Sequence, residues 1–144
     1  MDSWSLLFLS EEGMIECLIL GDSIAVGIQQ HRIECASYAH VGWTSEKWTR
    51  TYLNKDLSAQ VVVISLGSND WSKKVTKYEL MRLREKVRAD LVFWVLPAIK
   101  PEIRNVVREV ADMRGDLVVP ITDLSKDGVH PTPAGYKELA RRVR

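Results

Sequence analysis

The sequence contains no Gly-x-Gly-x-x-Gly and no Gly-Lys-Ser/Thr, so dinucleotide and P-loop readings lose their phosphate cradle. It also lacks Gly-x-Ser-x-Gly, the strained turn that exposes the serine of α/β-hydrolases. Only two cysteines occur, Cys17 and Cys35, with no Cys-x-x-Cys, which excludes a disulfide framework and a zinc cluster. Both fall in predicted strands that can be neighbours, so one bridge is open to them. The expectation is two buried free thiols, because free cysteine packs as a small core residue. No apolar run approaches the roughly 18 residues that cross a bilayer, so no membrane span is expected. An excess of one charge is missing too. Lys+Arg 20 against Asp+Glu 19 leaves +1, which argues against a nucleic-acid partner. The most basic stretch, Arg141-Arg142-Val143-Arg144, reads as cations at a helix C-terminus.

What is present suits one domain: 144 residues, 46% of them hydrophobic. Residues 1–13 do not share the pattern of the remainder. They carry a short apolar run with no Lys or Arg ahead of it and no small-residue cleavage site before Glu11-Glu12-Gly13, a poor signal peptide. The expectation is an N-terminal extension over 1–13, frayed or packed outside a single domain over 14–144, in a cytoplasmic protein.

From Met14 onward strand-like and helix-like segments alternate. Strands are predicted at Ile15–Leu20, Ile33–Tyr38, Gln60–Leu66, Leu91–Leu96 and Leu117–Ile121. The third and fourth are nearly continuous apolar runs, as in strands buried on both faces of a parallel sheet. Helices are predicted at Ile24–His31 and at Glu46–Leu53, where Trp48 and Tyr52 share a face. A third follows a Thr76–Glu79 capping box and runs to about Arg88. A fourth starts at Pro101 and is stopped by Gly115, and a last one follows Thr132-Pro133. Five strands alternating with helices predict a three-layer α/β sandwich with a five-stranded parallel sheet. Strand order is not readable from the pattern.

In such a sheet all carboxyl ends of the strands lie on one edge, where ligands bind. Four polar clusters follow predicted strands: Gly21-Asp22-Ser23, the loop Val41-Gly42-Trp43-Thr44-Ser45, Gly67-Ser68-Asn69-Asp70, and Asp127-Gly128-Val129-His130-Pro131-Thr132. Acyl transfer by serine needs a base for the hydroxyl proton, a group that orients the base, and donors for an oxyanion. His130 supplies the base for Ser23. Asp127, three residues earlier, orients its imidazole. The N–H of Ser23, the N–H of Gly42 and the amide of Asn69 supply the oxyanion hole. Trp43 and Trp71 follow the second and third clusters and are candidate substrate-binding residues, with packing under the loops as the alternative. Trp48 and Trp94 read as core. His31 and His40 read as structural or solvated, having no partner spaced like Asp127. No second His or Cys cluster completes a metal site around Asp127 and His130, so no metal and no cofactor are expected.

The four clusters resemble, in order, the sequence blocks of the SGNH (GDSL-type) hydrolases, with Ile24 where the family name carries Leu. The resemblance spans almost everything from Met14 to Arg144. It implies a flavodoxin-like sandwich and a serine esterase with Ser23, Asp127 and His130 as triad and Ser23, Gly42 and Asn69 as oxyanion donors. The chain is short for that family, so long loops walling off a pocket are not expected. The function expected is hydrolysis of carboxylic esters through an acyl-enzyme, on short-chain or acetyl esters, including those of a carbohydrate or cell-wall polymer. The alternatives are a small lipase or thioesterase on fatty acyl groups, and an inactive binding module on the same fold.

Overall fold

The computed structural model describes residues 14–144; the extension expected over 1–13 lies outside the described residues. Among the described residues ten elements alternate: β1 (Ile15–Gly21), α1 (Ser23–Gln30), β2 (Ala36–Ala39), α2 (Ser45–Tyr52), β3 (Ala59–Ser65), α3 (Lys73–Lys86), β4 (Leu91–Val95), α4 (Pro101–Met113), β5 (Leu117–Val119) and α5 (Pro133–Arg142). The strands form one sheet in the order β2-β1-β3-β4-β5, and every pairing is parallel. This is the flavodoxin-like order, which places a switch point between β1 and β3.

The alternation of side chains along β1 divides the core in two. Leu18 and Leu20 join Trp48, Leu80, Leu83 and Val107 on the side of α2, α3 and α4. Cys17 and Ile19 join Ile24, Ile28, Leu139 and Ala140 on the side of α1 and α5. Trp48 and Trp94 are fully buried, as expected of core residues.

Several boundaries differ from the sequence expectations for local reasons. The second strand starts at Ala36 rather than Ile33, because the backbone just before it is taken up in turns: Arg32 N–H donates to Gln29 C=O and Cys35 N–H to Arg32 C=O. Ile33 is accordingly 82% exposed. The fifth strand stops at Val119, since Pro120 has no N–H to offer the ladder. The capping box at Thr76–Glu79 is not one. Ser72 caps α3, its hydroxyl accepting from Val75 N–H at 3.2 Å. Thr76 and Glu79 lie inside the helix, where Thr76 Oγ1 donates to Asp70 at 2.7 Å and Glu79 accepts from Thr49 Oγ1 at 2.8 Å.

The cysteines also correct an expectation: Cys17 and Cys35 are bonded to each other rather than free, with Cα atoms 4.8 Å apart. Leu18 pairs with Ala36, so the residues before them stand side by side across adjacent strands, within disulfide reach. A crosslink spanning 18 residues stabilises by roughly 3 kcal/mol in the chain-entropy account. Among the described residues, three metal-capable side chains converge only at Cys17, Glu34 and Cys35, where the two sulfurs are bonded to each other. No helix of the described residues is long and apolar enough to cross a membrane.

Candidate active site

The junction of β1 and α1 places Ser23 at the first position of the helix. Gly21 is required there, because a Cβ would lie 1.9 Å from the Ser65 carbonyl oxygen. That close approach lets Asp22 N–H donate to Ser65 C=O at 3.0 Å. Asp22 then caps α1, its carboxylate accepting from Ile24 N–H at 3.0 Å. Ser23 is thus the first residue of the helix, and its hydroxyl is left for other work.

That hydroxyl lies 2.8 Å from His130 Nε2, although 107 residues separate the two. His130 Nδ1 lies 2.7 Å from Asp127 Oδ2. The tautomer that donates Nδ1–H to the carboxylate leaves Nε2 free to accept the serine proton. The segment between β5 and α5 that carries both residues is braced on itself. Thr132 N–H and Oγ1–H both reach Asp123, at 2.9 and 2.8 Å, and Ser125 N–H donates to His130 C=O at 2.8 Å. At its tip, Asp127 Oδ1 accepts from Ser125 Oγ, Val129 N–H and His130 N–H, each at 2.8 Å. These donors, with the His130 N–H and imidazole foremost, hold the Asp127 carboxyl well below the usual carboxylate range. The side chains of His130 and Asp127 remain 40% and 50% exposed, so water has direct access.

Gly42 lies in the loop after β2 with φ +81 and open space where a side chain would be. Its loop is stiffened by rings. His40 stacks on Trp43 with centroids 4.1 Å apart and hydrogen-bonds the Tyr52 hydroxyl, and Tyr52 stacks on Tyr38 at 4.7 Å. His40 is therefore structural, as its sequence context suggested. Asn69 reaches the same loop, its amide Nδ2 donating to Trp43 C=O at 3.0 Å. Next to it, Asp70 is buried and fully used: Oδ1 accepts from Ser45 N–H at 2.9 Å and Oδ2 from Thr76 Oγ1. The structure thus joins Ser23 with His130 and Asp127, and separately joins Asn69 with the Gly42–Trp43 loop.

The two tryptophans part company. Trp43 is half-buried, with Lys47 4.8 Å from its ring centroid. Trp71 is 86% exposed. It flanks a cleft of about 210 Å³ whose lining includes Thr44, Glu46, Ser72 and Val75 and stops short of Ser23 and His130.

Two contributors escaped the sequence reading. Ser125 is one; its hydroxyl donates to Asp127 Oδ1, a side-chain contact with no backbone-turn signal in the sequence. Lys100 is the other. Its Nζ donates to Ser68 C=O at 3.0 Å and Asp70 C=O at 2.8 Å. The signal was lysine at a helix N-cap, where Ser, Thr, Asp and Asn are preferred.

Asp22 carries a pH signature. It is fully buried, its Oδ2 has no hydrogen-bond partner, and burial pushes its carboxyl up to about 7 against the Ile24 N–H that favours its charge. An unfolded aspartate ionises at 3.8. Between these values the folded chain keeps a proton that the unfolded chain has lost, so stability falls as pH rises from about 4 to 7. The expected loss across that window is up to about 4 kcal/mol. Asp22→Asn should flatten this part of the stability–pH curve, measured by urea unfolding at intervals between pH 4 and 8; an unchanged slope would assign it to other groups.

No protein-family model matches the chain, and no curated protein matches it significantly. Solved structures do. A Bacteroides fragilis protein assigned as an acylhydrolase is 16% identical with a TM-score of 0.65, covering 98% of this chain and 95% of its own. A Bacteroides uniformis protein assigned as a GDSL-like lipase is 14% identical with a TM-score of 0.66, covering 94% of this chain and 96% of its own. The C-terminal catalytic domain of Streptococcus pneumoniae peptidoglycan O-acetyltransferase A, solved with a methylsulfonyl adduct, is 18% identical with a TM-score of 0.60, covering 89% of each chain. Likeness at these identities speaks to architecture alone: the chain shares the flavodoxin-like α/β sandwich of these three structures.

Proposed function

We propose that the protein is a serine esterase that hydrolyses short-chain carboxylic esters through an acyl-enzyme. The observation that carries this reading is the Ser23–His130–Asp127 relay, with contacts of 2.8 and 2.7 Å. Ser23 Oγ attacks the ester carbonyl while His130 Nε2 takes its proton. Asp127, held ionised by its donors, stabilises the imidazolium. The oxyanion is received by Ser23 N–H, Gly42 N–H and the second N–H of the Asn69 amide, the first being spent on Trp43 C=O. His130 then protonates the leaving alcohol, which departs. Water attacks the acyl-serine with His130 as base again and releases the acid. The exposure of His130 and Asp127 favours water as acceptor.

The neighbours' assigned activities all involve acyl groups, and one of them concerns acetyl on peptidoglycan. That acetyl chemistry on a glycan supports acetyl esters of a carbohydrate as the substrate class. For location, the Cys17–Cys35 bond favours an oxidising compartment over the cytoplasm suggested by residues 1–13, because reducing cytosols keep thiols open.

Labelling with a fluorophosphonate is the test. A single adduct on Ser23, absent from Ser23→Ala, is the expected result, with faster hydrolysis of acetyl than octanoyl nitrophenyl esters. No adduct would favour a binding module on the same fold.

A further inference from the structure

Among the described residues, Lys100 is the one non-glycine with a positive φ, at φ 56 and ψ 79. Local preferences argue against it. It occupies the N-cap of α4 without a side-chain capping bond, where short polar residues are favoured. A cation is also disfavoured at a helix N-terminus. An L-residue held in the left-handed region persists only where its surroundings over-determine it, and such residues cluster at functional sites.

What holds Lys100 is its ammonium. Nζ donates to Ser68 C=O at 3.0 Å and to Asp70 C=O at 2.8 Å, and lies 3.8 Å from the Trp71 ring centroid. An ammonium has three N–H bonds, and two carbonyls and one aromatic face account for all three. The two carbonyls flank Asn69. Its amide is meanwhile held by Trp43 C=O at 3.0 Å. The backbone of Asn69 is therefore set from one side and its side chain from the other.

We propose that Lys100 is a positioning residue for the Asn69 amide, a tie from the N-cap of α4 that fixes the turn presenting the oxyanion donor. This rests on the esterase reading above.

Lys100→Gly tests it, because glycine accepts the positive φ without strain. Loss of the tie should let the turn drift, lowering kcat for nitrophenyl acetate about 10- to 100-fold with KM nearly unchanged and the melting midpoint largely kept. A second pair keeps the test independent of folding. Lys100→Cys alkylated with 2-bromoethylamine rebuilds a lysine-length ammonium and should recover kcat; the same variant alkylated with iodoacetamide should not. Wild-type kcat in Lys100→Gly, or equal recovery with both reagents, would overturn the proposal. Failure of the esterase reading would look different: the unaltered protein would itself show no turnover and no fluorophosphonate adduct.

Discussion

Ser23→Ala is expected to lower ester turnover on the order of 10⁴-fold or more and to leave the fold standing. The side chain is separable from the architecture, because the cap of α1 belongs to Asp22 and the close passage of β1 past β3 belongs to Gly21. The hydroxyl's one side-chain partner is His130. His130→Ala should cost a comparable factor, and the double variant little more than either alone, because a nucleophile and its base act as one unit. Initial rates on nitrophenyl acetate, with circular-dichroism melts of each variant, measure this. Substantial turnover in Ser23→Ala, or effects that multiply in the double variant, would move the chemistry away from this pair.

Asn69→Ala is expected to lower kcat by about 10²–10³, the usual cost of removing one oxyanion donor. The variant should still take up a fluorophosphonate, more slowly, since nucleophile and base are untouched. KM should change little, because the lost hydrogen bond strengthens as charge develops on the oxygen. Asn69→Asp is the sharper comparison. It keeps the shape but replaces N–H donors by a carboxylate that repels both Trp43 C=O and the oxyanion, so its loss should exceed that of alanine. Steady-state kinetics on the same ester check both. An Asn69→Ala variant with kcat within a few-fold of the unaltered protein would leave the oxyanion to the backbone N–H groups alone.

The fold was legible where burial alone decides the residue. Val62, Val63 and Ile64 pair with Val92, Phe93 and Trp94 in the sheet interior, and a strand buried on both faces must be apolar throughout. Pro101 at the first turn of α4 and Thr132 as cap of α5 were legible because those signals are local. The Thr76–Glu79 pattern misled for the complementary reason. Its side chains face Asp70, Thr49 and Arg82, partners from elsewhere in the chain or helix, so a local motif was borrowed by tertiary contacts. Cys17 and Cys35 needed the register of β1 against β2, and register is set by the completed sheet. Within the site, Ser23, His130 and Asp127 were nameable because their chemistry demands those side-chain types. Lys100 was not, because an ammonium that binds two carbonyls 30 and 32 residues away leaves no local trace beyond an odd cap.

The order in which the site's parts are synthesised has a consequence of its own. Synthesis delivers His130 107 residues after Ser23, once the five strands of the described sheet have been made. Until the β5–α5 segment docks, Ser23 is an ordinary alcohol, too weak a nucleophile to be acylated. On the esterase reading, the chain stays inert toward esters until the β5–α5 segment docks, and reactivity arrives in one step with that docking.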